Sequence, residues 1–369
     1  MTGDPFNQDF SYPGPDMQGF ISAIYDLGCF AGAICMFVFG ERWGRRKSII
    51  YGAILVIVGT VIQTASYGVP QILIGRAVAG LGNGINTSAM PTWQSELVRA
   101  KTRGRSIVFE TGLLIIGLAI SNWLCYGASF VNSSFQWRFP IAFQMVFAII
   151  LLIMMIFLPD SPRWLISHGR VEEARHIISK LANESEWHPV VHNVVQDIID
   201  ADLHLKSIGR PHFSEIFSMG ETQNLRRVFL GMMPLWMQQL SGINVPSYYL
   251  PYLLERSVGI DRNLSLILSG CAAIQYVFFA FLPLLYIDTF GRRKTIIIGC
   301  ICLTGCMAAI AGTNSVGTRS AGIGTTFFFF LFYDIFGMSL LPVSWMYAPE
   351  VNSLRMRTRG SSLGTASHW

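Results

Sequence analysis

The sequence predicts an all-α membrane protein built from two pseudo-symmetric helical bundles. Hydrophobic residues make up 51% of the 369-residue chain and charged residues only 13%, against about 25% charge in a soluble domain. Nine stretches are apolar over roughly the 20 residues that cross a bilayer. The chain also repeats itself. Gly40-Glu41-Arg42-Trp43-Gly44-Arg45-Arg46-Lys47 returns as Asp288-Thr289-Phe290-Gly291-Arg292-Arg293-Lys294, each copy between two apolar runs. Glu96 followed by Lys101-Thr102-Arg103-Gly104 returns as Glu350 followed by Arg357-Thr358-Arg359-Gly360, in step with the first pair. Parallel repeats of hydrophobic bundles are a common plan of secondary transporters.

The nine spans fall at about 18–40, 48–67, 71–97, 106–128, 139–159, 228–252, 264–287, 295–313 and 325–349, and a tenth begins near Gly360. Basic residues alternate with them. Arg42, Arg45, Arg46 and Lys47 follow the first span, and Arg99, Lys101, Arg103 and Arg105 the third. Arg292, Arg293 and Lys294 follow the seventh, and Arg355, Arg357 and Arg359 the ninth. The intervening loops are nearly free of Lys and Arg, which places the basic loops in the cytoplasm. The net charge of +5 therefore marks topology and not a nucleic-acid partner.

The repeat also predicts what a complete bundle needs. Two spans precede Gly291-Arg292-Arg293 but one precedes Gly44-Arg45-Arg46; two follow Arg103-Gly104, whereas only nine residues follow Arg359-Gly360. Symmetry adds one span in front and two behind, making twelve. The expected organisation is an N-terminal bundle at 1–159, a polar cytoplasmic linker at 160–226 and a C-terminal bundle at 227–369. Within the linker, Glu172-Glu173-Ala174-Arg175 and the spacing of Ile177, Ile178 and Leu181 suggest short amphipathic helices lying on the bundle.

Metal and redox chemistry find little support. The seven cysteines are scattered through the spans, with neither a disulfide framework nor zinc spacing, and read as small packing residues. Six of seven histidines lie in the linker, including His188 and His192 at i, i+4, but Pro189 disturbs the helix that would align them. Solvated surface is the better reading. No cofactor and no nucleophile–base pair is expected.

Polar groups at membrane depth carry more information. Gln238, Gln239, Ser241 and Asn244 interrupt an apolar span. They are either glue between helices or donors and acceptors for a neutral polyhydroxy solute. On a straight helix Gln238 and Asn244 diverge; they converge if the helix breaks. Pro246, with no N–H for the carbonyl of Gly242, supplies a break. Arg76, Asp26, Glu110 and Asp334 also lie within spans, where an ionisable group is functional by default. Counting 1.5 Å per residue puts Asp26 and Arg76 at similar depth from the outer face.

An ordered set of motifs spans nearly the whole chain. They are Glu41-Arg42-Trp43-Gly44-Arg45-Arg46, Gly75-Arg76 with Gly80-Leu81-Gly82-Asn83-Gly84, and Ser95-Glu96 with Arg103-Gly104. Then come Pro159-Asp160-Ser161-Pro162-Arg163-Trp164-Leu165, Gln238-Gln239-Leu240-Ser241-Gly242-Ile243-Asn244, and Pro342 to Glu350. On these the chain resembles the sugar porter family of the major facilitator superfamily. The wording from Trp345 to Leu354 looks most like filamentous-fungal sugar and polyol transporters.

The resemblance implies a sugar site lined by Gln238, Gln239 and Asn244, with Tyr249 beside them and Trp345 stacking on the ring. Thr111 stands at a fifth-span position that is glutamine in many relatives, and Gly337 where facilitative carriers have a glutamate. It implies a cytoplasmic gate of Arg45, Arg46, Glu96, Arg103, Asp160, Arg163, Arg292, Arg293, Glu350 and Arg357. Arg45/Arg46 are expected to meet Glu350, and Arg292/Arg293 to meet Glu96. Arg76 would take part in proton coupling, with Asp26 as its partner here. The implied activity is uptake of a sugar, a hexose first, by alternating access as a proton symporter of the plasma membrane. A polyol such as glycerol, a transporter-like nutrient sensor and an inactive truncated transporter are the alternatives.

Overall fold

A computed structural model describes residues 4–98, 102–207, 213–220, 223–316, 318–353 and 355–369; Arg99, Lys101 and Leu354 lie outside these. Among the described residues the regular structure is helical throughout. The first bundle comprises α1 (Asp4–Asp9), α2 (Pro15–Trp43), α3 (Arg45–Thr64), α4 (Val69–Leu97), α5 (Arg103–Ala128) and α6 (Phe135–Phe157). Between the bundles follow α7 (Pro162–Ser167), α8 (Val171–Ala182) and α9 (Pro189–Ser207). The second bundle comprises α10 (Asn224–Leu240), α11 (Asn244–Ser257), α12 (Arg262–Phe281), α13 (Ile287–Phe290), α14 (Arg292–Val316), α15 (Arg319–Met338), α16 (Leu340–Val351) and α17 (Arg357–His368).

Seven helical stretches are long and apolar enough to cross a bilayer: Asp16–Trp43, Arg45–Thr64, Arg103–Ala128, Phe135–Phe157, Arg262–Leu285, Arg292–Val316 and Ser320–Val351. They coincide with seven of the nine expected spans. The other two are helical but less plainly apolar. The stretch expected at 71–97 is α4, which carries Arg76 and Glu96 among many small residues. The stretch expected at 228–252 is divided between α10 and α11.

The repeated loop has one shape in both halves. Gly44 ends α2 at φ 80° and Gly291 ends α13 at φ 87°, a left-handed conformation open to glycine at little cost. Each glycine turns the chain straight into a helix that begins with an arginine, Arg45 or Arg292.

The first bundle is held by small residues. A Cβ on Gly84 would collide with the carbonyl oxygen of Cys29, and one on Gly32 with that of Leu81. Helices α2 and α4 therefore touch backbone to backbone, the small-residue packing that replaces hydrophobic drive within a membrane. Gly84→Val is expected to force these helices apart and abolish correct insertion, since overpacking already costs about 1–3 kcal/mol where side chains can yield. Fluorescence-detected gel filtration would check this; a normal monodisperse peak would contradict the packing.

Two helices break at prolines. Helix α10 ends at Leu240 and α11 starts at Asn244; Gly242 sits between them at φ 84°, its carbonyl taken by Val245 N–H at 3.0 Å. This is the break Pro246 predicts. The expected continuous span at 325–349 is also divided, at Ser339 (φ −122°, ψ −83°). Pro342 cannot donate to the Met338 carbonyl, and the Tyr286 hydroxyl donates to that oxygen instead. In the linker, α7, α8 and α9 pack through Trp164, Leu165, Ala174, Ile178, Val191 and Val195, the amphipathic arrangement expected.

Candidate functional site

Helix α17 joins the two halves: it packs on α10 and α16 of the second bundle and on α2 and α4 of the first. Its last residues complete the amide cluster. Asn244 Nδ2 donates to Gln239 Oε1 at 2.7 Å, so the break after Leu240 does bring α10 and α11 amides together. Gln239 Nε2 lies 3.0 and 2.9 Å from the two ring nitrogens of His368. The Trp345 ring, on α16, stands 4.9 Å from the imidazole. Gln238 is buried at 3% exposure, and its Oε1 has no hydrogen-bond partner among the described residues. Asn244 and Tyr249 are exposed on α11. Amide donors and acceptors beside indole and imidazole faces suit a neutral ligand rich in hydroxyls.

Thr111 lies apart from this hydrogen-bonded group. It is buried on α5, and its Oγ1 is 3.0 Å from the carbonyls of Ile107 and Val108. His368 is not among the residues the sequence motifs single out, although it is the one histidine outside the linker.

The first bundle approaches the cluster through aromatic rings. Trp369 meets Tyr25 of α2 edge-on with centroids 6.5 Å apart. Arg76 of α4 lies over Tyr25, 5.5 Å from its centroid, and its Nη2 is 3.5 Å from the Ser22 carbonyl. Asp26 is within electrostatic reach of Arg76, and Tyr248 of α11 is within reach of both.

The charges expected to form a gate pair otherwise than expected. Arg45 binds Glu96 at 2.8 Å and Arg292 binds Glu350 at 3.3 Å, so these two arginines each pair within their own half. The reason is topological: α3 packs on α4, and α14 on α16, bringing the start of one helix to the end of its neighbour. Contacts between the halves are made by other atoms. Arg45 Nη2 donates to Thr358 Oγ1 at 3.0 Å, Arg359 faces Glu41 at 3.7 Å, and Arg105 faces Asp288 at 3.7 Å. Arg46 donates through Nε to the Met155 carbonyl at 2.8 Å. Asp160 Oδ1 accepts from the backbone N–H groups of Arg45 and Arg46, both at 3.3 Å. Arg293 is exposed. Burial pulls Arg163 below arginine's ordinary range; Glu96 opposes this, while Arg103 and Arg45 reinforce it.

Two helical halves, broken helices that meet at an amide cluster, and a charged seam between the halves define a membrane carrier. A family model described as "Sugar (and other) transporter" matches residues 9–369, and the chain belongs to that family, one of membrane transporters rather than enzymes. It is 38% identical over 357 residues to the MFS-type transporter oryC of Aspergillus oryzae, covering 95% of this chain and 66% of that protein. It is 36% identical to the sugar transporter STL1 of Saccharomyces cerevisiae, covering 100% of this chain and 67% of that protein. The chain thus spans about two thirds of the length of these relatives. The solved structure of the proton:xylose symporter XylE bound to 6-bromo-6-deoxy-D-glucose shares the fold, at a TM-score of 0.86 and 24% identity over 99% of this chain and 80% of that one.

Proposed function

We propose that this protein carries a sugar, a hexose in the first instance, across the plasma membrane by alternating access, with a proton as co-substrate. The observation that carries the reading is the cluster of Gln239, Asn244, His368 and Trp345, assembled from two broken helices and α17 where the halves meet. Broken helices at such an interface are where transporters bind substrate. Gln238 adds an unengaged buried acceptor for a sugar hydroxyl, and Tyr249 borders the same region. Relatives named for sugar and hexose transport and the proton:xylose symporter with the same fold support the substrate class and the driving ion.

In this reading the segments at 1–159 and 227–369 rock against each other, with the linker at 160–226 beneath them. Arg45, Arg46, Glu96, Arg103, Asp160, Arg163, Arg292, Arg293, Glu350 and Arg357 form the cytoplasmic gate. Asp26 carries the proton, and Arg76 competes for the carboxylate when the proton leaves.

Labelled-sugar uptake in a yeast without its own sugar carriers tests this. Accumulation is expected to collapse when an uncoupler dissipates the proton gradient. Asp26→Asn is expected to retain sugar exchange while losing uphill accumulation. Uptake indifferent to both uncoupler and substitution would rule out proton drive; no uptake of any hexose would remove the substrate assignment.

A further inference from the structure

Asp334 is an ionisable group within a span that neither the amide cluster nor the gate uses. It lies on α15 near the middle of the membrane-length stretch Ser320–Val351, shortly before the break at Ser339. The residue is only 5% exposed. Gln275 stands near the middle of the stretch Arg262–Leu285, on α12, and its Nε2 donates to Asp334 Oδ2 at 2.6 Å. The other oxygen, Oδ1, is buried and has no hydrogen-bond partner among the described residues.

No cation balances a carboxylate at this depth. Helices α14, α12, α16 and α11 pack on α15, and every Lys and Arg of these five helices falls in a first or last turn. The titratable groups in the same core are phenols and thiols. They are Tyr276 of α12, its ring 5.0 Å from that of Tyr333 on α15, and Cys300 and Cys306 of α14. From α11 the core takes Leu250 and Leu254, while Tyr248, Tyr249 and Tyr252 are exposed and Glu255 is in the last turn. From α16 it takes Leu340 and Leu341; Tyr347 and Glu350 stand beyond Trp345, and Glu350 faces Arg292.

Both charge states are therefore incompletely satisfied in this conformation. An ionised carboxylate at membrane depth has one amide donor and no counter-charge; a neutral acid has an O–H at Oδ1 without an acceptor. A plain tie between α12 and α15 does not explain the acid, because asparagine would accept from Gln275 without the charge.

We propose that Asp334 is a second proton site of the carrier, loaded and emptied in each transport cycle. The inference rests on the proton-symport reading and deepens it. Loading forms an O–H bond at Oδ1 with a proton from water; emptying breaks it and returns the proton to water on the other side. Water reaches Oδ1 when α15 and α16 swing about Ser339. The Gln275 amide serves both states, donating through Nε2 to the carboxylate and accepting through Oε1 from the acid. That exchange alters the seat of α15 on α12 beside the hinge, so proton occupancy biases α16 and with it Trp345.

The first test is infrared difference spectroscopy of the purified full chain on stepping the pH from about 8 to about 5. A protonated-carboxyl band is expected in the wild type and in Asp26→Asn, and is expected to be lost in Asp334→Asn. The second is accumulation of labelled glucose in proteoliposomes with the membrane potential clamped at zero. Each coupled proton contributes about tenfold of accumulation per unit of pH gradient. Asp334→Asn is expected to lower accumulation about tenfold at a one-unit gradient while sugar exchange without a gradient persists. Should that variant fail to insert, Asp334→Glu, which keeps the acid, is expected to shift the band's frequency; an unmoved band would overturn the site. A wild type indifferent to the gradient would overturn symport and the coupling role with it. A wild type that responds, with spectrum and accumulation unchanged in Asp334→Asn, would overturn the Asp334 site alone.

Discussion

Sugar uptake in Gln239→Ala is expected to fall by at least about 30-fold with the protein still reaching the cell surface. Gln239 is the junction of the amide cluster: it accepts from Asn244 and meets the His368 ring. Alanine leaves the Asn244 amide and the imidazole without that partner. The exposed Asn244 amide turns to water, but the half-buried imidazole loses its partner, and a polar group left unsatisfied away from water costs about 1–3 kcal/mol, enough for a loss of this size. Gln239→Asn, which keeps the amide one methylene short, is expected to fall between. Initial rates of labelled uptake, normalised to surface protein, would measure it. Wild-type rates in the alanine variant would show that substrate passes elsewhere.

What the sequence made legible depended on how local the cause was. The break after Leu240 could be read because Gly242 and Pro246 lie within a few residues of each other and act on the backbone directly. The break at Ser339 has a similar proline, Pro342, but its run of apolar residues read as one span. The freed carbonyl is satisfied from a distant residue, Tyr286, which no window of sequence contains. Asp26 and Arg76 could be brought level by counting residues along helices, because depth in a membrane is nearly one-dimensional. Pairing of Arg45 with Glu96 could not, since the repeat offers two equivalent glutamates and only helix packing chooses between them. His368 lies one residue from the last described position, so its helix offered too short a pattern to show which face meets Gln239.

That choice of partner makes Glu96 the most sensitive point of the charged seam. Its side chain is 4% exposed, and it is the carboxylate facing Arg45 at 2.8 Å. Removing one member of a buried ion pair costs about 3–5 kcal/mol, because the other charge stays buried without compensation. Here the effect is compounded: Arg163 and Arg357 are within electrostatic reach of the same carboxylate. Glu96→Gln is therefore expected to lower the unfolding midpoint by about 5 °C or more and uptake by at least about tenfold. In Arg45→Gln/Glu96→Gln one positive charge leaves with the negative one, and the double variant is expected to recover part of the loss. The same pair of measurements separates gate from glue. If Glu96 only holds α3 against α4, stability and uptake recover together. If it also closes the seam towards Thr358 of α17, stability recovers while uptake stays low, because the double variant has lost the guanidinium that crosses between the halves. An unfolding midpoint unmoved by Glu96→Gln would show the pair to be dispensable in either role.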